Sequence, residues 1–521
     1  MTVVWRSGRS SRRQLERVHV MHRGIPRGPL ALCLALASGL SALSSLTGCG
    51  GKVSMPGDDA AGAAGGFPET GPGTGRPSDP LQHWAKSFGS PSSDDEDEIA
   101  GTEDLTDLAV NRAGNIVLGG NFAGTFDLGA GPITNVPSVY SGFVATLDHD
   151  GNGLWSRGFG SLIGATSIRE VATNAAGDVF VVATFTGSVD FGVGLHTASD
   201  RSHDWAVIKL DQRGHPVWSR AFGLGFDGAA HLAVDDAGNV ILGGTLSGTV
   251  DLGTGPVAPP GNFPSPYVLK LDPTGKTIWA HTLTAGIFGE VFSVAASPRG
   301  DIAVAGWFSG SYDFGCGPLA GTTASSDAGS FVASLDENGG CRWNVMTELT
   351  QGEVGSDIGI DDRGNVIVTG VFFGTTLYGA ATAGVAPFVA KFDQAGALRW
   401  SNLPVSGLAA DPPPTLAVDV AGNVSVAIRY GEHIDFGDGP ILGPTSGYTY
   451  AIVQYDEAGS LRSSSRVSDG RGDVGRELRI GASRLGELIV AGNYSGTLDI
   501  SGSTLVGDRN RSDIFVAEFA P

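Results

Sequence analysis

From residue 81 onward, short apolar runs alternate with polar, glycine-bearing turns, and the alternation forms one unit repeated seven times. The first landmark of each unit is a glycine that follows a short polar residue and precedes a strand-like run: Gly114, Gly177, Gly238, Gly300, Gly364, Gly422 and Gly486, spaced 58 to 64 residues apart. The second is a tryptophan behind an Asp-x-x-Gly turn: Trp155, Trp218, Trp279, Trp343 and Trp400, with Ser463 in that place in the sixth copy. Each unit divides into four strand-like pieces. Strand A is an apolar run such as HLAV, and strand B is β-branched, as in NVIVTG. A longer loop, often G-T-x-D-F-G in pattern, leads to an FVAKLD-like strand C, and strand D carries the tryptophan. In the D-x-x-G turns an Asp, Asn or Ser accepts a hydrogen bond at the first position and glycine takes the last, the chemistry of a type I turn. Internal repeats of this kind decide the fold. Four antiparallel strands per unit, seven times over, predict an all-β fold: a seven-bladed β-propeller of four-stranded blades.

Strand A carries the packing argument. The fifth residue before each landmark glycine is small in every copy: Ala109, Ala172, Ala233, Ala295, Gly359, Ala417 and Gly481. The residue before it is apolar and branched every time. First strands of propeller blades converge on the central axis, where close packing leaves room only for small side chains. The repeats open with a lone strand-D sequence, HWAKSFG, and end with a lone strand C, DIFVAEF. The N-terminal strand is therefore expected to complete the last blade and close the ring, which removes exposed sheet edges.

The pattern AVDxxGNVxVxG, GTxDFG, FVAKLDxxGxxxW over residues 81–521 resembles the bacterial SBBP-type β-propeller repeats. That resemblance implies an architecture and says little of function, because the family is defined by its architecture. The segment LDPTGKTIW is also similar to the Trp-docking repeat of quinoprotein-type propellers, which usually have eight blades against the seven counted here.

The first 80 residues are of another kind. Residues 30–46, LALCLALASGLSALSSL, follow Arg23 and Arg27 as an apolar run behind a basic one, the build of a secretory signal. The run is short for a spanning helix. It ends in Leu46-Thr47-Gly48-Cys49, which resembles the lipobox of bacterial lipoproteins and implies cleavage before Cys49 and lipid on its thiol. The expected division is 1–48 signal peptide, 49–80 lipid anchor and linker, 81–521 propeller. Residues 50–80 are Gly, Pro, Ala and Asp with almost no large apolar side chains, too few to order themselves. Gly50 after the cysteine, by the sorting pattern of lipoproteins, implies the outer membrane, on its periplasmic side or at the cell surface. Met21 offers an alternative start that would give a signal of more usual length.

Glycine is abundant, 81 of 521 residues, about twice the usual ~7%, yet without the strict period of collagen. The formal charge is −21. Residues 1–48 hold seven Arg and one Glu, so the remainder carries about −27. Such a body is repelled by nucleic-acid phosphates and anionic headgroups, and nucleic acid is not an expected partner. A protein or glycan ligand is expected, on a monomer tied to a membrane by its N-terminal lipid.

Variable loops on a rigid scaffold are where function concentrates. The A–B and C–D turns are short and uniform, whereas the D–A and B–C connections are long and variable, so the D–A/B–C face is the candidate binding face. Two residues before the small strand-A position stand Asp107, Glu170, His231, Ser293, Asp357, Thr415 and Arg479. They are expected to ring the channel mouth on that face; Asp107, Glu170, His231, Asp357 and Arg479 are the candidates for holding a cation or a polar ligand. The plainer reading is a set of channel-lining side chains that are simply wet.

Other motifs fail. Asp148-His149-Asp150-Gly151 opens like an EF-hand loop, but the twelfth position is Phe159, where a Glu ligand belongs. Gly223 to Gly228 matches G-x-G-x-x-G, but a dinucleotide site needs a strand before it and a helix after it, and a strand follows. The acidic run Asp94 to Glu98 and the triplet Arg471-Gly472-Asp473 are short surface patterns. No G-x-S-x-G, H-E-x-x-H or C-x-x-C occurs, and no cofactor is expected. Cys316 sits in a B–C loop and Cys341 follows a C–D turn. Those positions predict opposite ends of blade 4, whereas a bridge needs Cα atoms within about 7 Å.

The leading functional expectation is a cell-envelope lipoprotein that acts as a binding or scaffold module, rather than an enzyme. The alternatives are a propeller hydrolase or lyase acting on glycans or peptides through Asp107, Glu170 and His231, and a surface adhesion or structural protein.

Overall fold

The computed structural model describes residues 82–89, 103–135, 140–160, 164–199, 203–223, 231–259, 264–282, 286–320, 329–346, 353–377, 380–409, 412–445, 447–468, 472–500, 502–508 and 511–520. Cys49, the acidic run, most of the G-x-G-x-x-G segment and Arg471 lie outside them. They form a seven-bladed propeller of four-stranded antiparallel sheets, with no helix among the described residues. Blade 1 shows the plan: strand A Glu103–Val110, B Ile116–Phe122, C Ser141–Leu147 and D Gly153–Phe159, hydrogen-bonded in that order. In blade 7 the chain supplies A (Gly472–Ala482), B (Leu488–Ile500) and C (Asp513–Phe519) from its C-terminal end, and D is the N-terminal strand Gln82–Phe88. Gln82 pairs with Phe519 and Phe88 with Ile514, so the ring closes as expected.

Each sheet buries apolar side chains on both faces. Strand C of blade 1 is buried along its whole length. The clusters of buried residues straddle blade boundaries. One joins Leu118, Phe122 and Phe143 of blade 1 to Ile489, Ala491 and Val516 of blade 7. The small strand-A positions sit where neighbouring A strands meet. A Cβ on Gly481 would stand 2.8 Å from a methyl of Val110, and one on Gly359 would stand 2.8 Å from Val418.

A second junction lies near the C–D turns. The indole Nε1–H of five strand-D tryptophans donates to a carbonyl in the C–D turn of the following blade. Trp84 reaches His149 (3.0 Å), Trp155 reaches Gln212 (3.1 Å), Trp218 reaches Pro273 (2.9 Å), Trp279 reaches Glu337 (3.2 Å) and Trp400 reaches Glu457 (3.0 Å). The indole also covers the glycine of that turn. A Cβ on Gly214, whose φ is +79°, would lie 2.6 Å from the Trp155 ring. Trp343 covers Gly396 in the same way, but its Nε1 has no partner among the described residues.

The exception at Ser463 has a structural cause. Its following blade is the seventh, whose strands C and D come from opposite ends of the chain and share no turn. A tryptophan there would have no turn to dock on. Ser463 instead donates to Gln454 at 2.7 Å on its own sheet.

The B–C connections depart from expectation. Strand B of blade 4, Ile302–Asp313, runs past its pairing with strand C and turns into a hairpin with Pro318–Ala320. An Asp closes the hairpin tip: Asp313 accepts from Gly315 N (2.7 Å) and Gly317 N (3.0 Å). Asp127, Asp190, Asp251 and Asp435 do the same in blades 1, 2, 3 and 6. The hairpin folds back along the blade, so that its tip meets the start of strand D. In blade 1, Ser156 donates to Gly131 O at 3.3 Å, and in blade 4, Asn344 donates to Gly317 O at 3.1 Å. This corrects the placing of Cys316 and Cys341 at opposite ends of blade 4. Cys316, in the hairpin tip, is brought to Cys341 at the start of strand D, and the two form a disulfide with Cα atoms 5.5 Å apart.

Gly214→Ala combines a left-handed backbone with a collision against Trp155, and is expected to lower stability by about 2–4 kcal/mol in urea unfolding. Ser463→Trp, the consensus substitution, is expected to give no stabilisation in the same assay, because the partner turn is missing.

Candidate functional site

Asp107, Glu170, His231, Asp357 and Arg479 all line one cavity of about 320 Å³ at the mouth of the channel. The expected ring is present, and Ser293 and Thr415 complete it.

Strand A is the inner edge of each blade, and the N–H groups of an edge strand that point away from its own sheet need other acceptors. The ring side chains supply them across the blade boundaries. Asp107 accepts from Val171 N of blade 2 (2.8 Å). Glu170 accepts from Leu232 N of blade 3 (2.6 Å). Asp357 accepts from Leu416 N of blade 6 (3.0 Å). Ser293 of blade 4 donates to Asp357 of blade 5 (3.2 Å), Thr415 of blade 6 donates to Leu478 O of blade 7 (3.4 Å), and Arg479 Nε of blade 7 donates to Thr106 O of blade 1 (2.7 Å). Six of the seven junctions are thus spanned among the described residues. The side chains are neither simply wet nor free; they staple one blade to the next. Sequence inspection found the positions and missed this role. The only sign was a polar residue one place before the branched residue whose counterpart in the next blade donates the N–H.

Charge is arranged unevenly. His231 Nδ1 lies 2.7 Å from Glu170 Oε1, and Arg479 Nε lies 3.9 Å from Asp107 Oδ1. Burial pushes the Asp107 carboxyl up to about 7, and the charge of Glu170 adds to the push. Burial likewise raises Asp357. For His231, burial favours the neutral ring, but the Glu170 carboxylate outweighs it, so its pKa rises. The mouth therefore presents an imidazole held against a carboxyl group, a guanidinium, and two carboxyls, Asp107 and Asp357, that burial shifts toward their protonated forms. The groove suits a small polar ligand with donors and acceptors of its own.

The EF-hand-like segment is a turn. Asp148 accepts from Asp150 N (3.0 Å) and Asn152 N (2.7 Å).

No protein-family model matches the chain, and no curated protein matches it. Several solved structures are similar to it over most of its length. An apocarotenoid oxygenase of Synechocystis is 12% identical, with a TM-score of 0.38 over 84% of this chain and 94% of its own. A Hadza microbial sialidase is 10% identical, with a TM-score of 0.35 over 84% and 93%. Sqt1 from Chaetomium thermophilum is 11% identical, with a TM-score of 0.36 over 81% and 97%. At these values the likeness carries nothing about chemistry.

The Asp107 carboxyl titrates higher in the fold than in the unfolded chain, so its protonated form is the one the fold favours. That contribution is complete below the unfolded value of 3.8 and is lost as pH rises through about 7. His231 acts in the same direction, since its raised pKa stabilises the fold only while the ring holds its proton. The melting temperature is expected to fall between about pH 5 and about pH 8, and Asp107→Asn to flatten that fall. An unchanged slope in the variant refutes the assignment.

Proposed function

We propose that this chain is a lipid-anchored binding protein of the cell envelope, of the SBBP-repeat kind, in which the channel mouth and the surrounding D–A and B–C surface hold a polar ligand such as a glycan or a peptide end. One observation carries the reading: the ring of polar side chains, stapled across six junctions, lines a polar cavity of about 320 Å³ at the centre of that face. A cavity whose walls are fixed before the ligand arrives loses little entropy on binding. Lipid on Cys49 and the segment 50–80 would hold the propeller at the outer membrane. No helix among the described residues is long and apolar enough to cross a membrane.

A second reading is favoured by the contact of Glu170 with His231. A carboxylate that orients an imidazole is the base half of a hydrolytic or lyase site. It predicts turnover of a glycan or peptide that His231→Ala abolishes while Arg479→Lys leaves it measurable.

Two measurements test the leading reading. Affinity capture from detergent-solubilised envelope, with the intact chain as bait, is expected to enrich a stoichiometric partner. The isosteric variant Asp107→Asn, Glu170→Gln, Asp357→Asn is expected to lose that partner while still melting cooperatively; the same partner retained by the variant moves the site away from the channel mouth. Cys49→Ser is expected to shift the protein from the membrane fraction to the soluble one and to end labelling by palmitate. Persistence in the membrane removes the anchor.

A further inference from the structure

One buried strand-C position holds a lysine or a neutral polar residue in blades 1 to 6, and an acid in the seventh. The second residue before the C–D-turn aspartate is lysine in blades 2, 3 and 5, and each lysine is paired with an aspartate of its own A–B turn. Lys209 lies 2.9 Å from Asp178, Lys270 lies 3.7 Å from Asp235, and Lys391 lies 3.0 Å from Asp361. In blade 7 the equivalent residue is Glu518, near the end of strand C, and the A–B turn still contributes an acid, Glu487. Glu487 follows the turn glycine as Asp178 does in blade 2, while the place of Asp235 and Asp361 is taken by Ser483; where blade 2 pairs a lysine with its turn acid, blade 7 sets a glutamate beside it. Glu518 is 6% exposed, and a carboxylate so buried beside another carboxylate needs a compensating positive charge.

His83 stands where that charge is needed. It belongs to the N-terminal strand, and its Nδ1 lies 2.9 Å from Glu518 Oε1 across the closure of the ring. One ligand atom from each of His83, Glu487 and Glu518 lies within 4.8 Å of the other two, and no other such group of metal-binding side chains occurs among the described residues. Ser483 Oγ holds Glu487 Oε2 at 2.9 Å, which fixes that carboxylate in the turn. His83 is exposed, so the fourth corner of a tetrahedron is open to water.

We propose that His83, Glu487 and Glu518 form a binding site for a divalent ion of the zinc class, which ties the N-terminal strand to the C-terminal strand and takes the charge role that lysine plays in blades 2, 3 and 5. One imidazole nitrogen and two carboxylate oxygens are a zinc-type donor set, with bonds of about 2.0–2.2 Å. Such bonds place neighbouring ligand atoms roughly 3.4 Å apart, within reach of small side-chain adjustments from the geometry present. The imidazole disfavours calcium and magnesium, which prefer an all-oxygen shell. An ion bound to the closed ring and not to the opened one stabilises closure by mass action.

The test uses the full chain, stripped with chelator and titrated with zinc chloride at neutral pH by calorimetry and thermal melting. The expected result is one equivalent bound at this site and a melting temperature several degrees higher at about 100-fold excess over the dissociation constant. Calcium chloride is expected to give no such rise. His83→Ala, a change at an exposed position, is expected to lose both the binding and the rise, as is Glu518→Gln. Glu518→Lys restores the lysine–carboxylate pair of blades 2, 3 and 5, and is expected to melt at or above the metal-free wild type and to ignore zinc. Zinc binding that survives His83→Ala and Glu518→Gln overturns the proposal. So does an equal response to calcium, the absence of any zinc response in the wild type, or a Glu518→Lys protein that melts below the metal-free wild type.

Discussion

The pairing of Gln82–Phe88 with Asp513–Phe519 is the constraint on which the rest of the ring depends. Blades 1 to 6 are each made from one stretch of chain and hold together locally. The seventh exists only when the two ends of the propeller meet. Without that pairing strand C of blade 7 is a bare edge, and Trp84 has no sheet to place it over the first blade's turn. The closure is also where the repeat stops repeating. Ser463 stands for tryptophan before it, and within it Glu518 puts an acid where the other blades carry lysine or a neutral polar residue.

The contacts between blades run the same way round the ring. The tryptophan of one blade docks on the turn of the next, and the carboxylates at the channel mouth accept the next blade's N–H groups. The small residue on strand A makes room for the next blade's branched side chains. Three layers of contact, at the rim, the axis and the mouth, thus join the same two neighbours. Their agreement is what a sequence that specifies one structure requires.

Blade number and strand order were legible in the sequence because they rest on local rules repeated around the ring, and closure because a lone strand D opens the repeats and a lone strand C ends them. A glycine behind a polar turn residue, a tryptophan after it and a small residue on strand A each have one cheap structural solution. The channel-mouth positions were legible for the same reason, since Asp107, Glu170, His231, Asp357 and Arg479 share one register. What the register did not reveal was the task of these side chains, because the N–H groups they accept belong to another blade. The disulfide was hidden by a different cause. A loop between strands B and C reads as a feature of one face, and only the fold-back of its hairpin brings Cys316 to Cys341. Contacts made by a connection's path, rather than by its period, leave no mark in a repeat.

The closure has a consequence for how the polypeptide reaches its finished state. His83 and Glu518 are separated by 435 positions, yet they touch. Contacts of such separation form late, since the loop they close must be ordered first. During synthesis, the strand that finishes the propeller is the first to be made and the last to find its place. A chain that stops a few residues short of Asp513 is therefore not a slightly smaller propeller. It is an open arc with two unpaired strands at its ends, and open edges recruit other chains.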